Sequence, residues 1–209
     1  LPCVEAAKGE NLLVVLPTNS GKTRIAAELL DHYLTQWRND PSESKKRKWC
    51  VLLTPTGPLA DQQGLVLAHA CDLDIATEED DQLDAEGASC RLAIVRGQHS
   101  SKSKSRINAR NAWKRCATLV MTPALLVDSL IQARVVMSDI VLLVLDEAHQ
   151  LKGTSEYAIL MKRFYSGTPL ESRPRVLALT ASPLSGRAAA KSWQLASEED
   201  MQSELDDKK

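Results

Sequence analysis

The sequence predicts an α/β fold in which a mostly parallel sheet is flanked by helices on both faces. Three observations carry that prediction. Short apolar runs rich in Val, Leu and Ile recur along the chain, helix-like stretches separate them, and the runs lack strict apolar–polar alternation. A strand covered on both faces needs apolar side chains at consecutive positions, and parallel neighbours need a long crossover. At 209 residues and 44% hydrophobic content, the chain can bury one core of this kind.

The elements follow in order. The first run spans residues 12–16 and leads into a helix over 22–37, where Ile25, Leu29 and Leu30 share one face. Residues 50–54 are the second strand and 58–70 the helix after it. Runs at 92–95 and 118–121 are the next strands, with a helix over 106–115 between them. A helix over 123–133 precedes the strand at 141–145, and a helix over 156–165 precedes the last strand, 176–179.

Three segments stand outside this alternation. Residues 41–48 carry Ser42, Ser44 and Lys45-Lys46-Arg47-Lys48 and read as a solvated loop, with a basic localisation signal as the competing reading. Residues 72–86 hold eight acids in 15 positions, the heart of an exposed acidic loop over about 72–89. After Gly186 the chain ends in Glu198-Glu199-Asp200 and Asp206-Asp207-Lys208-Lys209. The expected division is a folded domain over 1–188 and a polar linker or tail over 189–209.

Composition narrows the function. With 26 Lys+Arg against 27 Asp+Glu, the net charge of −1 excludes a histone-like basic protein and an acidic solvating chain. It leaves nucleic-acid binding open, because local patches decide that. The longest apolar run, residues 140–145, is six residues against the roughly 20 of a membrane helix. The five cysteines, Cys3, Cys50, Cys71, Cys90 and Cys116, are odd in number and form no C-x-x-C pair. That pattern points to a reducing, intracellular setting, cytoplasmic or nuclear. The start at Leu1 reads as an excised fragment.

Two motifs carry the chemistry. Thr18-Asn19-Ser20-Gly21-Lys22-Thr23 follows the first strand and opens the first long helix, the setting a phosphate-binding loop requires. Gly21 lets backbone N–H groups approach phosphate at a helix amino terminus. Lys22 is placed to reach the β- and γ-phosphates of ATP, and the Thr23 hydroxyl to hold Mg²⁺. Asn19 stands where a glycine is usual, and Asn tolerates left-handed backbone better than most residues. Farther on, the apolar run at 141–145 ends in Asp146-Glu147-Ala148-His149. A buried strand ending in two carboxylates delivers them to the carboxyl edge of the sheet, where ligands bind in open α/β folds. Asp146 then serves Mg²⁺, and Glu147 orients or deprotonates the attacking water. No Asn-Lys-x-Asp occurs to read guanine, and no Leu-Ser-Gly-Gly-Gln marks a transporter ATPase.

Other residues are more ambiguous. Pro55, Thr56, Thr122 and Pro123 sit just after strands and Gly97 follows another, where hydroxyls, free N–H groups or close backbone approach can meet phosphates. Ordinary strand-ending turns explain them equally well. Lys102, Lys104, Arg106, Arg110, Lys114 and Arg115 form a basic stretch that reads as a solvated helix face or as phosphate contacts. Trp113 fits helix packing better than a base platform. His32, His69 and His99 have no partner spacing.

With Asp146-Glu147-Ala148-His149 the chain resembles a superfamily 2 helicase, first RecA-like domain, over about residues 10–185. Leu53-Thr54-Pro55-Thr56 with Leu59 and Gln62-Gln63 resembles motif Ia, and Met121-Thr122-Pro123-Ala124-Leu125-Leu126 resembles the Thr-Pro motif that touches the nucleic-acid backbone. Thr180-Ala181-Ser182 resembles motif III, which links the ATP site to the nucleic-acid track. The stretch from Ser138-Asp139-Ile140 through Glu147, Tyr157-Ala158, Met161-Lys162 and Phe164-Tyr165 to Leu179-Thr180-Ala181-Ser182-Pro183 is similar to the helicase domain of Dicer-type proteins. The resemblance implies a RecA-like domain using ATP and Mg²⁺, coupling through His149, Thr180 and Ser182, and duplex RNA as partner. It also implies a second RecA-like domain carrying an arginine finger. A Fanconi-type DNA translocase and a non-catalytic duplex-RNA scaffold are the competing readings.

Overall fold

The computed structural model describes residues 1–18, 20–39, 49–78, 91–95 and 107–181. Seven strands form one sheet: β1 (Leu12–Val15), β2 (Trp49–Leu53), β3 (Asp74–Ile75), β4 (Arg91–Ile94), β5 (Thr118–Met121), β6 (Ile140–Leu145) and β7 (Arg175–Thr180). Their order is β1-β7-β6-β2-β5-β4-β3, and every neighbouring pair is parallel. All carboxyl ends therefore lie on one edge, which positions the candidate site.

Helices α1 (Pro2–Gly9), α2 (Lys22–Asn39) and α3 (Gly57–Ala70) pack on one face; α4 (Ala109–Arg115), α5 (Pro123–Ile131) and α6 (Glu156–Ile159) pack on the other. The sheet feeds both cores by alternation: Val51 and Leu53 of β2 join one, Cys50 and Leu52 the other. In β6 a bulge at the Trp49/Cys50 register break takes up one extra residue, Val141, so that Leu142 pairs with Cys50. Helix α2 buries Ile25, Leu29, Leu30 and Leu34 on one stripe, each burial contributing roughly 1.5–3 kcal/mol before entropy. Helix α3 comes so close to β4 that a Cβ on Gly64 would lie 2.6 Å from Ile94 Cγ1. Glycine at that position is a packing requirement.

The structure corrects the sequence reading in several places. Residues 2–9, ahead of the first predicted strand, form α1, held by Val4 and Ala7. The acidic stretch is not a loop at its start: Asp74 and Ile75 are strand β3, paired with Arg91 and Leu92. Next to it Glu78 accepts hydrogen bonds from the Asn108 side chain (2.8 Å), the Asn111 side chain (2.9 Å) and the Asn108 backbone N–H, tying the stretch to the start of α4. The helix expected over 156–165 is α only through Ile159; Leu160–Tyr165 is a π-helical turn. The helix expected over 106–115 spans Ala109–Arg115, with Asn108 as its cap. Trp113 is 3% exposed and packs edge-on against Trp49, with 5.4 Å between ring centres. No described helix is long and apolar enough to cross a membrane. Asn19, Gly97, His99, Lys102, Lys104, Arg106, Ser182, residues 45–48 and 79–89, and the segment 189–209 lie outside the described residues.

Candidate nucleotide site

Three adjacent strands, β1, β7 and β6, end side by side and carry the two motifs. The loop after β1 is tied to the end of β7 by Leu16 N–H donating to the Thr180 carbonyl at 3.0 Å. Gly21 takes φ +91°, a left-handed conformation open to glycine at little cost, and opens α2. The Lys22 ammonium folds over its own loop, donating to the carbonyls of Leu16 at 3.1 Å and Pro17 at 3.3 Å. The Ser20 hydroxyl donates to the Pro17 carbonyl, closing the turn. Thr18 is exposed at the front of the loop. Thr23, one residue into α2, donates its hydroxyl hydrogen to Gln63 Oε1 of α3 at 2.9 Å.

Asp146 follows β6 directly. Its N–H donates to the Leu53 carbonyl at 2.9 Å, extending the β6–β2 pairing one residue past the strand. Asp146 is 8% exposed, and its carboxylate accepts the Glu147 N–H at 3.0 Å. Burial pushes the Asp146 carboxyl above its ordinary value, and the Glu147 charge pushes the same way; Lys22 and His149 oppose them. Glu147 takes φ +51°, costly for a side-chain-bearing residue, and turns the chain into Ala148–Gln150. The His149 ring bridges two elements: Nδ1 lies 3.1 Å from Glu147 Oε2 and 3.3 Å from the Thr180 hydroxyl of β7. The geometry thus brings Lys22, Thr23, Asp146, Glu147, His149 and Thr180 to one stretch of edge.

The pattern matches one family. A family model of the DEAD/DEAH box helicases matches residues 2–189. The chain belongs to the DEAD/DEAH box helicase family. This helicase domain is 34% identical over 189 residues to the rice (Oryza sativa subsp. japonica) endoribonuclease Dicer homolog 4, covering 90% of the chain and 10% of that protein. It is 32% identical over 184 residues to Dicer-like protein 1 of Aspergillus niger, covering 88% of the chain and 11% of that protein. The chain therefore spans about a tenth of the length of these curated relatives. Among solved structures, the Pyrococcus furiosus Hef helicase domain matches with a TM-score of 0.61 and 28% identity, over 86% of this chain and 31% of that one. The chain is a helicase ATP-binding domain related to Dicer-like proteins, with the seven-stranded parallel sheet of a RecA-like fold.

The other half of the helicase edge, after β2 and β5, carries the candidate nucleic-acid residues. Thr56 is exposed and caps α3, its hydroxyl accepting the Leu59 N–H at 3.5 Å. Pro55 is half-buried beside it. The buried Thr54 hydroxyl donates to the Thr56 carbonyl at 3.1 Å and braces that turn. Thr122 begins α5 without a side-chain capping bond, and Pro123 is buried at its first turn.

Two residues named in the sequence without a role join the site. Gln63 reaches Thr23 across 40 positions. Tyr157, 2% exposed, donates to the Asp146 carbonyl at 2.8 Å and lies 3.2 Å from the Leu53 carbonyl, so one hydroxyl spans the ends of β6 and β2. Burial raises its hydroxyl pKa well above the ordinary tyrosine value, keeping it a neutral donor. A polar residue on α3 and a tyrosine in α6 carry no local signal of such contacts.

Proposed function

We propose that this domain is the ATP-hydrolysing half of a motor that acts on duplex RNA. The observation that carries the reading is the convergence of Lys22, Thr23, Asp146 and Glu147 on the joined ends of β1, β7 and β6. The residues suit Mg²⁺·ATP. Thr23 and Asp146 supply hard oxygen donors, and Asp146 is a buried carboxylate whose charge burial and Glu147 both disfavour, a setting that a divalent cation relieves. When bound, Mg²⁺ neutralises charge on the phosphate oxygens.

The chain's own residues do the rest. Lys22, released from its loop carbonyls, and the backbone N–H groups at the start of α2 bind the phosphates. The described loop residues Thr18, Ser20 and Gly21 wrap them. Glu147 orients the attacking water and accepts its proton, held in place by His149. Through His149 the position of Glu147 depends on Thr180, the last residue of β7.

Backbone recognition supports RNA duplex as the partner. An A-form duplex offers phosphates and 2′-hydroxyls and hides its base edges. Thr56 and Thr122 place hydroxyls after adjacent strands, and Trp49 and Trp113 are buried in the core, away from any base. Kinship with Dicer homologues points the same way.

The test is ATP hydrolysis by the full-length protein with matched RNA and DNA duplexes at one salt concentration. Lys22→Ala and Glu147→Gln should each lower turnover by about 10²-fold or more, in line with losing a group that stabilises transition-state charge. RNA should stimulate more than DNA, nearly independently of sequence, and less as salt rises. Wild-type rates in both variants overturn the nucleotide assignment. Stronger stimulation by DNA replaces the RNA reading with a DNA translocase.

A further inference from the structure

The geometry points to Gln63 as a positioning residue that aims the Thr23 hydroxyl at the metal; this rests on the reading of Thr23 as a Mg²⁺ contact. A threonine hydroxyl has one hydrogen and two lone pairs, and its hydrogen rotates freely unless an acceptor holds it. A hydroxyl can serve a cation only when its hydrogen points away and its lone pairs point toward the ion. Gln63 Oε1 holds that hydrogen at 2.9 Å from the α3 side, leaving the lone pairs to the loop.

Gln63 is well placed for this. It is half-buried on α3, the neighbour of α2 on the same face of the sheet. The approach of α3 is fixed by Gly64, the next residue, against Ile94. The backbone that presents Gln63 is therefore packed rather than mobile, which is what an outer partner of a metal ligand requires. The same helix is capped by Thr56, a candidate nucleic-acid contact, two turns before Gln63. A shift of α3 on nucleic-acid binding then reaches Thr23 by a route separate from Thr180 and His149.

Nucleotide binding tests this without any turnover. A fluorescent ATP analogue is titrated into the 209-residue chain in excess Mg²⁺ and again in excess EDTA, for wild type, Thr23→Ala, Gln63→Leu and Gln63→Glu. Gln63→Leu should weaken the affinity in Mg²⁺ about tenfold, the usual cost of losing an outer-shell partner, and leave the EDTA affinity unchanged. Gln63→Glu, which can only accept the hydroxyl hydrogen, should keep the wild-type ratio of the two affinities. An unchanged ratio in Gln63→Leu, with the ratio lost in Thr23→Ala, overturns the role of Gln63 alone. Equal weakening in Mg²⁺ and EDTA in Gln63→Leu makes the residue a structural link and also overturns it. A wild-type ratio in Thr23→Ala removes the metal assignment itself.

Discussion

Asp146 sits where burial makes a negative charge costly. Its carboxyl is buried beside Glu147, and both effects raise its pKa. The folded chain therefore binds this proton more tightly than the unfolded chain does. The stabilising contribution is complete below the ordinary carboxylate range and is lost as pH rises through the raised value. Asp146→Asn should then raise stability at about pH 7, in EDTA and without nucleotide, by about 1 kcal/mol, or about 2–4 °C in Tm for a chain of this size. The gain should shrink as pH falls toward the carboxylate range. Thermal melts across that range check it: a destabilised variant, or a gain that grows with acidity, contradicts the account. The same substitution should weaken Mg²⁺-dependent ATP binding.

Single elements explain both what the sequence reveals and what it conceals. Strands β5, β6 and β7 are readable to within a residue because both faces are buried, leaving unbroken runs such as 141–145. Strand β3 has two residues inside an acidic run, and its pairing with β4, not its composition, makes it a strand. The π turn after Ile159 inserts an extra residue per turn, which a 3.6-residue period cannot register. At the site, the phosphate loop and Asp146-Glu147 are legible because their chemistry lies in consecutive residues. The Tyr157 bridge is not, because its carbonyl partners lie 11 and 104 positions away. The contact between β7 and the turn after β6 belongs to this scale too. Thr180→Val preserves the buried shape and removes the hydroxyl that faces His149. It should leave ATP affinity in Mg²⁺ within about twofold and cut the stimulation of hydrolysis by RNA about fivefold, the equivalent of about 1 kcal/mol. Undiminished stimulation would show that coupling runs elsewhere, and the Gln63 helix becomes the route to examine.

At the scale of the whole molecule, the described residues build one sheet with one ligand-bearing edge. Motors of this resemblance close that edge against a second RecA-like domain, whose arginine finger is worth about 10³–10⁵ in rate. Residues 1–209 on their own should bind ATP yet turn it over about 10³-fold or more slowly than the full-length protein. RNA-stimulated hydrolysis by these residues alone at the full rate would mean that the edge needs no such partner. The strand order adds a constraint of timing. Among the described strands, β1, which leads into the phosphate loop, pairs only with β7, matching Leu12 with Leu177, and β6 separates that pair from β2. The first described strand must therefore wait for the last described one before its edge is hydrogen-bonded. Pairing over so long a stretch of chain is entropically late and slow. Before β7 is made, β1 therefore has no partner among the described strands, and the phosphate loop, with Lys22 and Thr23 at the start of α2, has yet to gain its tie to Thr180.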